Sequence, residues 1–188
     1  MAVFEKKDKE PILSERIAGI IDRSTGDLDK LSRTDEIVRY KYKIKKQLTS
    51  NPDILNVLHW NGKEVGNGDS YLDKAIFDYM RLPDMKDTVK SYICFEVNES
   101  IPSYASKQID RNVIFRLISH KDDVKTDWGV NRPDLMSTII QDMFDWSNVL
   151  GLKLVKQYNT PMVVDDDYYY REICYKIEGS NNIYAQNK

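Results

Sequence analysis

The sequence predicts an α+β fold: a small, mostly antiparallel sheet with one long helix packed across it, preceded by a helical N-terminal segment. Along residues 88–97, apolar side chains alternate with polar or smaller ones, as in a strand that has one covered face. Along residues 133–150 the apolar side chains recur at helical spacing. Strand-like runs follow this helix at residues 152–157 and 168–177.

Length and composition favour one α+β domain with an attached helical arm. The chain has 188 residues and a mass of 22.0 kDa, which allows one sizeable hydrophobic core. Glycine and asparagine concentrate in residues 61–70, a pattern typical of a long loop. We therefore expect a helical N-terminal segment or arm over residues 1–60 and the α+β domain over residues 61–188.

Charge and hydropathy argue against two classes of partner. The chain carries 28 basic and 30 acidic side chains, and this near balance gives no global attraction to nucleic acid. No apolar run approaches the roughly 20 residues that a membrane-spanning helix needs. The first residues are charged from Glu5 onward and lack the apolar core of a signal peptide. We expect a soluble protein that is made in the cytoplasm and has no membrane partner.

Three helices are predicted before the sheet. Residues 11–22 carry isoleucine and leucine at near-helical spacing, and residues 34–48 carry a narrow apolar stripe. Asn51 and Pro52 then supply a cap and a first-turn proline for a third, short helix. Residues 71–84 fit either a helix or an extended run.

The sheet and its helix are predicted in more detail. A strand is predicted over residues 111–119, and within it residues 113–118 are apolar except for Arg116, which predicts an inner strand covered on both faces. The helix is expected to begin at Pro133, to run to Leu150 and to be closed by Gly151. The last two strands are expected to flank a loop of about ten residues. Seven apolar side chains of the helix are available to pack on the sheet: Leu135, Met136, Ile139, Ile140, Met143, Phe144 and Leu150.

The reactive side chains form no recognisable catalytic or metal-binding motif. Cys94 and Cys174 lie in apolar, aromatic runs and are interpreted as reduced core thiols. With two histidines and no CxxC, a structural zinc site is hard to build. Asp84, together with Asp123 and Lys125, loosely matches metal-dependent nucleases, but Asp123 and Lys125 fall in a polar turn. We expect no enzyme activity, no cofactor and no bound metal.

Two charged segments are candidate binding surfaces. Asp165, Asp166 and Asp167 are interpreted as an acidic hairpin tip, which could also contact a basic patch on a neighbouring subunit or keep phosphate out of a shared channel. Lysines and tyrosines interleave along residues 40–46 (YKYKIKK), a pattern that suits a nucleic-acid-binding helix and equally an ordinary exposed helix face. A nucleic-acid-binding accessory protein is therefore the alternative hypothesis.

The aromatic content indicates protein partners. The chain has 12 tyrosines, and Tyr168, Tyr169 and Tyr170 open the last predicted strand, so their rings alternate between its two faces. The predicted helix covers only one face of the sheet. Because tyrosine supplies rigid, amphipathic contact area, we expect the uncovered face to bury against a partner in a homo-oligomer or a larger assembly.

The order and character of the C-terminal elements resemble a known family. A strand (VIFRLISHKDD) is followed by a turn (TDWGVNRPDLM), an amphipathic helix ending MFDWSNVLG, and a long hairpin from LKLVKQY to YYYREICYKI. This segment, residues 113–177, resembles the tail-terminator and neck (head-tail completion) proteins of tailed bacteriophages, and covers about a third of the chain. Such proteins have a small sheet with flanking helices, and they assemble as rings at the junction between capsid and tail.

The resemblance implies a non-enzymatic structural virion protein of the phage head-tail junction, either a tail terminator or a neck component. It implies a ring of identical copies, expected to be a hexamer. The implied partners are other phage neck, tail-tube or sheath proteins, with DNA only as passing cargo. Each contact in a ring joins one surface of a copy to a different surface of the next copy. The predicted interface residues are Trp128, Arg132, Tyr168, Tyr169 and Tyr170.

The loop before the long helix suits such a contact. It places Asp127, Trp128 and Gly129 shortly before Arg132, as an exposed aromatic and charged segment. Arg132 is expected to pair either with Asp127 in the same subunit or with an acidic group across an interface. Trp128 is expected either at the interface or folded over the edge of its own sheet.

Overall fold

The computed structural model describes residues 36–58, 67–81, 91–100, 110–163 and 167–178. The chain divides into two compact units, residues 1–39 and 40–188. The predicted helix at residues 11–22 lies outside the described residues. The division predicted at residue 61 stays a prediction, because residues 59–66 lie outside them as well.

Within the described residues, the helices before the sheet are α1 (Glu36–Ser50) and α2 (Pro52–Leu58). The buried face of α1 consists of Tyr40, Ile44 and Leu48, which recur every four residues and so lie on one side of the helix. Asn51 caps α2 as its sequence predicts, since its side-chain oxygen accepts hydrogen bonds from the backbone N–H groups of Asp53 (2.9 Å) and Ile54 (3.1 Å).

Besides short 3-10 helices, the other elements in the described part of the chain are five strands and one long helix. The strands are β1 (Ile76–Phe77), β2 (Ser91–Ser100), β3 (Asp110–His120), β4 (Lys153–Val163) and β5 (Tyr168–Glu178), and helix α3 (Arg132–Phe144) lies between β3 and β4. Their order in the sheet is β1-β2-β3-β5-β4. Among these described strands, the short β1 pairs in parallel with β2, and the other pairs are antiparallel. The predicted α+β fold, with a mostly antiparallel sheet, is confirmed. No helix in these described segments is long and apolar enough to cross a membrane.

The main core lies between the sheet and α3. Phe115 of β3 lies 5.1 Å from Phe144 of α3 and 6.2 Å from Tyr175 of β5, measured between ring centroids. All three side chains are buried, and Met136 and Ile140 of α3 pack on the same side. These aromatic contacts hold the helix on the centre of the sheet.

A smaller core lies on the opposite face of the sheet. Alternate residues of a strand point to opposite faces, so the neighbours of Phe115 turn away from α3. At one end of that face the buried cluster consists of Phe77, Tyr92, Cys94, Ile118 and Tyr168, with Met80 and Tyr170 packed against it. The sheet therefore has two unequal covered regions, and the one without a helix is confined to one end.

The burial of β3 differs from its prediction. β3 is an inner strand, as predicted, because it pairs with β2 and β5. It is not covered on both faces along its length, since Ile114 and Arg116 are only half-buried between the buried Val113, Phe115 and Leu117. The apolar residues of β3 thus contribute mainly to the core between the sheet and α3, and Ile118 contributes to the smaller core on the opposite face.

Helix α3 ends six residues earlier than predicted. After Phe144, Asp145 is extended (φ −65°, ψ 125°) and Trp146 is left-handed (φ +59°). The N–H of Trp146 donates to the carbonyl of Leu154 at 3.0 Å, so the chain pairs with the start of β4 instead of continuing the helix. Gly151 (φ +87°) belongs to the turn into β4 rather than closing the helix.

The loop between β4 and β5 is shorter than predicted. β4 continues through Pro161, which pairs with Arg171, and ends at Val163. An edge strand tolerates proline because one side of its backbone has no strand to bond. The connection is therefore residues 164–167, and the predicted loop of about ten residues is wrong.

The segment at residues 71–84 was ambiguous in the sequence and is resolved over its described part. A 3-10 helix, Gly68–Tyr71, leads to the short strand β1. The N–H of Ile93 in β2 donates to the carbonyl of Ala75 at 2.8 Å, which extends this parallel pairing. The extended alternative is therefore the one that the structure adopts around β1.

Stability at alkaline pH should depend on Tyr175. Burial, followed by the charges of Asp145 and Asp142, raises the pKa of this phenol above its ordinary value of 10.0. The unfolded chain therefore loses the proton at lower pH than the folded one, so the stabilisation is present below pH 10.0 and is lost as pH rises beyond it. We expect the free energy of unfolding to fall above that pH by up to about 1.4 kcal/mol per pH unit for this one group.

Tyr175→Phe should make this fall less steep. Urea denaturation of both proteins at several pH values measures the free energy of unfolding, and the difference in this free energy between the two proteins at pH 7 provides the baseline. Equal slopes for the two proteins would contradict the assignment of a raised pKa to Tyr175.

Candidate functional site

Trp128 lies at the tip of a tight turn that follows β3. The N–H and hydroxyl of Thr126 both donate to the carbonyl of Val130, at 3.0 and 2.8 Å, and the N–H of Gly129 donates back to Thr126 at 3.0 Å. Gly129 has φ +76°, a conformation that glycine adopts without a Cβ clash. The closed turn leaves the Trp128 side chain 65% exposed. An exposed fraction this large does not fit a ring packed over the edge of its own sheet, and the interface position of Trp128 stays a prediction.

Arg132 holds this turn to the helices from inside the subunit. Its Nε donates to the carbonyl of Asp123 at 2.9 Å, and its Nη2 donates to the Asp123 carboxylate at 3.1 Å. Its Nη1 donates to the carbonyl of Val57, near the end of α2. The side chain is buried, and its carboxylate partner is Asp123 rather than Asp127. Arg132 thus connects α2, the turn and the start of α3.

An apolar groove lies beside Trp128, between α2 and α3. Its volume is about 590 Å³. Val57 is buried at its base, Leu135 and Ile139 are half-buried, and Asp53 is exposed. We name it the α2–α3 groove; its lining residues are Asp53, Asn56, Val57, Trp128, Leu135 and Ile139.

The groove corrects one prediction about α3. Leu135 and Ile139 were predicted to pack on the sheet with the other apolar residues of the helix. The residues that α3 buries are instead Arg132, Pro133, Met136, Ser137, Ile140 and Phe144. Leu135 and Ile139 lie one helical turn apart on a different side, because residues four apart share a face. Their apolar side chains therefore line a surface groove.

The three consecutive tyrosines have different environments. Tyr168 is buried and its ring lies 5.0 Å from that of His120, whereas Tyr169 is exposed. Tyr170 is half-buried, and its hydroxyl donates to the sulfur of Met162 at 3.0 Å. Of the predicted interface residues, the structure brings Trp128 and Arg132 close to one groove but places the tyrosines at the β4–β5 hairpin. Trp128 and Tyr169 are the most accessible of the five.

A second, more polar pocket lies between this hairpin and the start of α3. Its volume is about 340 Å³, and its lining includes Tyr169, Tyr170 and Arg171. Arg171 is bound inside the subunit, since it contacts the Asp134 carboxylate at 2.7–2.8 Å and the side chain of Asn159 at 2.9 Å. These contacts fix the hairpin to α3 and satisfy the charge in the pocket.

The acidic segment is described only at its last residue, and Asp165 and Asp166 lie outside the described residues. Asp167 forms an ion pair with Lys121, and this hydrogen-bonded cation lowers the pKa of the carboxyl. The backbone N–H of Lys121 also donates to the carbonyl of Asp167 at 2.7 Å. Asp167 therefore anchors the start of β5 to the end of β3.

The lysines of α1 contact acidic groups near the sheet. Lys41 forms an ion pair with Glu96 and also donates to the carbonyl of Asp78 at 2.8 Å. Lys45 lies 2.9 Å from the Asp78 carboxylate. Tyr40, which precedes both lysines in the motif, is buried. Part of the positive charge that could bind nucleic acid is thus compensated within the subunit.

The groups considered for catalysis have structural contacts. Asp123 binds Arg132 and also accepts a hydrogen bond from the hydroxyl of Ser91, while Asp84 lies outside the described residues. Cys94 and Cys174 are free and buried, and burial is the main cause that raises the pKa of both thiols. Within the described ranges, no group of three or more His, Cys, Asp or Glu side chains is placed to hold a metal ion.

A polar network on the face away from α3 was not predicted. Glu172 accepts hydrogen bonds from Arg116 Nε at 2.7 Å and from the hydroxyl of Tyr158 at 2.8 Å. Burial and the hydrogen bond to Glu172 raise the pKa of Tyr158, and the separate hydrogen bond between Arg116 and Glu172 raises the pKa of Arg116. The alternation of charged and aromatic residues in β3, β4 and β5 was the available signal, but the pairing register was needed to align them.

Comparison with known protein families places a family model over most of the chain. The YomW family model matches residues 35–177, a range that contains α1, α2, the groove and nearly the whole sheet. Among curated proteins, none matches the chain.

Replacing Arg132 should destabilise the fold much more than replacing Trp128. Arg132→Ala removes the cation that pairs with the Asp123 carboxylate and the donor that binds the Val57 carbonyl, so we expect a loss of about 3 kcal/mol in the free energy of unfolding. Trp128→Ala, only four residues away, removes an exposed side chain and should change it by less than about 0.5 kcal/mol. Chemical denaturation measures both, and an Arg132→Ala protein as stable as the Trp128→Ala protein would contradict the structural role of Arg132.

Proposed function

Because this chain belongs to the YomW family, a family of phage-derived proteins of the SPBc2 prophage type, we propose that it is a structural protein of a phage particle. The proposed place is the head-tail junction, where it serves as a tail terminator or another neck component. In this proposal the protein is not an enzyme. It forms a ring of identical copies through which DNA passes as cargo.

The observation that supports this proposal best is the exposed Trp128 beside the α2–α3 groove. Trp128 is 65% exposed and lines the groove together with Leu135 and Ile139, and a contiguous exposed apolar surface of this kind is typical of an interaction site. The groove beside it is apolar, with Leu135 and Ile139 along one wall. Interfaces are enriched in aromatic side chains that fit into such depressions. This region therefore has the character of a protein-binding surface.

The way in which the surface is held also supports a role in assembly. Arg132 fixes the turn to both helices through three hydrogen bonds, so Trp128 is presented on a rigid support. A preformed surface loses less conformational entropy when it binds. In a ring, one such surface must fit a different surface on the next copy. The remaining exposed surfaces, including Tyr169, are then available for other neck, tail-tube or sheath proteins.

The alternative, a nucleic-acid-binding accessory protein, has less support. Its candidate surface was the lysine-rich face of α1. Lys41 and Lys45 contact Glu96 and Asp78, and these acidic partners lower the positive potential that phosphate binding requires. We therefore retain the junction proposal as the function.

Localisation in the particle tests this function. The protein is produced with a short C-terminal tag in a phage that lacks its own copy, and purified particles are labelled with gold-conjugated antibody against the tag. We expect label at the head-tail junction and assembly of infectious particles. Trp128→Ala, which should fold normally, should lower the yield of complete particles, and Trp128→Phe should restore part of it. Complete particles that carry no label and no copy of the protein would contradict the proposal.

A further inference from the structure

A second exposed tryptophan lies just beyond the other end of α3. Trp146 is 64% exposed and has φ +59°. Residues other than glycine seldom adopt this conformation, and a bulky aromatic residue there is an outlier. Conformations of this kind tend to persist at positions with a binding or switching role.

The backbone around Trp146 is held firmly. Its N–H donates to the carbonyl of Leu154, and the N–H of Leu154 donates to the carbonyl of Ser147, both at 3.0 Å. The N–H of Ser147 in turn donates to Phe144 at 3.1 Å. The exposed indole therefore projects from a bonded turn, and its position is set by the end of α3 and the start of β4.

A lysine accompanies this ring. The Nζ of Lys153 lies 4.1 Å from the centroid of the Trp146 ring, within the distance of a cation–π contact. We name this pair, Trp146 with Lys153, the Trp146 protrusion. It combines a flat apolar surface with one positive charge.

The α2–α3 groove has the complementary character. Its lining is mainly apolar, from Val57, Trp128, Leu135 and Ile139, and Asp53 adds a carboxylate. Aromatic rings stack or pack edge to face, so Trp128 offers a partner for a second indole. The groove volume of about 590 Å³ lies in the range of pockets that enclose a bulky group.

The groove and the protrusion lie toward opposite ends of one helix. The groove is lined by Leu135 and Ile139 in the first half of α3, and Trp146 follows its last residue. A helix of 13 residues is about 20 Å long. Both tryptophans remain about two-thirds exposed, so the protrusion does not occupy the groove of its own subunit.

We propose that the Trp146 protrusion of one copy binds in the α2–α3 groove of the next copy. Trp146 packs against Trp128, Leu135 and Ile139, and Lys153 faces Asp53. Because the two surfaces differ, each copy binds one neighbour through its groove and the other neighbour through its protrusion. The contact therefore repeats in one direction until a ring closes. This inference identifies the contact between copies, and it rests on the proposed function for the closed ring.

Two variants that each remove one surface test the contact. Ile139→Glu places a charge in the groove at a half-buried position. Trp146→Gly removes the protruding ring and places at φ +59° the residue that tolerates it best. Sedimentation velocity should show self-association of the wild-type protein, weakened at least tenfold in each variant alone. An equimolar mixture of the two variants should form a dimer and nothing larger. The intact protrusion of the Ile139→Glu protein can bind the intact groove of the Trp146→Gly protein, and the other two surfaces of this dimer are the altered ones.

A charge exchange provides the matched control, since Asp53 and Lys153 are both exposed and their replacement leaves the core intact. Asp53→Lys and Lys153→Asp should each weaken association, and the protein with both changes should recover much of it. A mixture of Ile139→Glu and Trp146→Gly proteins that contains only monomers would overturn the proposed contact, as would variants that assemble like the wild type. Gold labelling of particles tests the junction function and does not depend on these association measurements. Either proposal can therefore be contradicted without the other.

Discussion

The buried guanidinium of Arg132 is the contact on which the arrangement of the surface depends. It binds the backbone of Asp123 after β3 and the backbone of Val57 in α2, and it is itself the first residue of α3. One charged group thus connects the turn and the start of α3 to α2, which is distant from them in sequence. Its charge is balanced by the Asp123 carboxylate at 3.1 Å, which makes burial of the pair tolerable. The α2–α3 groove exists because these elements are held at a fixed separation.

Helix α3 connects this surface to the core and to the second exposed tryptophan. Its inner side packs through Phe144 on Phe115 and Tyr175, and its outer side offers Leu135 and Ile139 to the groove. Because interiors are close-packed, a helix held by these rings has little freedom to slide on the sheet. Trp128 and Trp146 therefore keep a fixed distance and orientation relative to each other. A closed ring requires such a fixed geometry between its two different binding surfaces.

Periodicity predicted the elements but not the contacts between them. Alternation and helical spacing were enough to find β2 to β5, α1, α2 and α3, because those patterns follow from local geometry, but they left the short β1 ambiguous. They could not distinguish Leu135 and Ile139 from Met136 and Ile140, since all four suit an apolar helix face. The burial of Arg132 depends on Val57, which is 75 residues away. The left-handed Trp146 lacked the glycine that usually marks such a position, so the predicted helix ran past its true end.

The mass of the wild-type protein in solution is the measurement that tests the ring most directly. Light scattering behind a sizing column, over a concentration series, gives this mass without assuming a shape. A ring closed by repeated contacts between groove and protrusion predicts one discrete species of about six copies, with few species between it and the monomer, because closure adds a contact without another subunit. A strict monomer at every concentration would contradict the ring, and a mass that rises without limit would indicate an open filament instead.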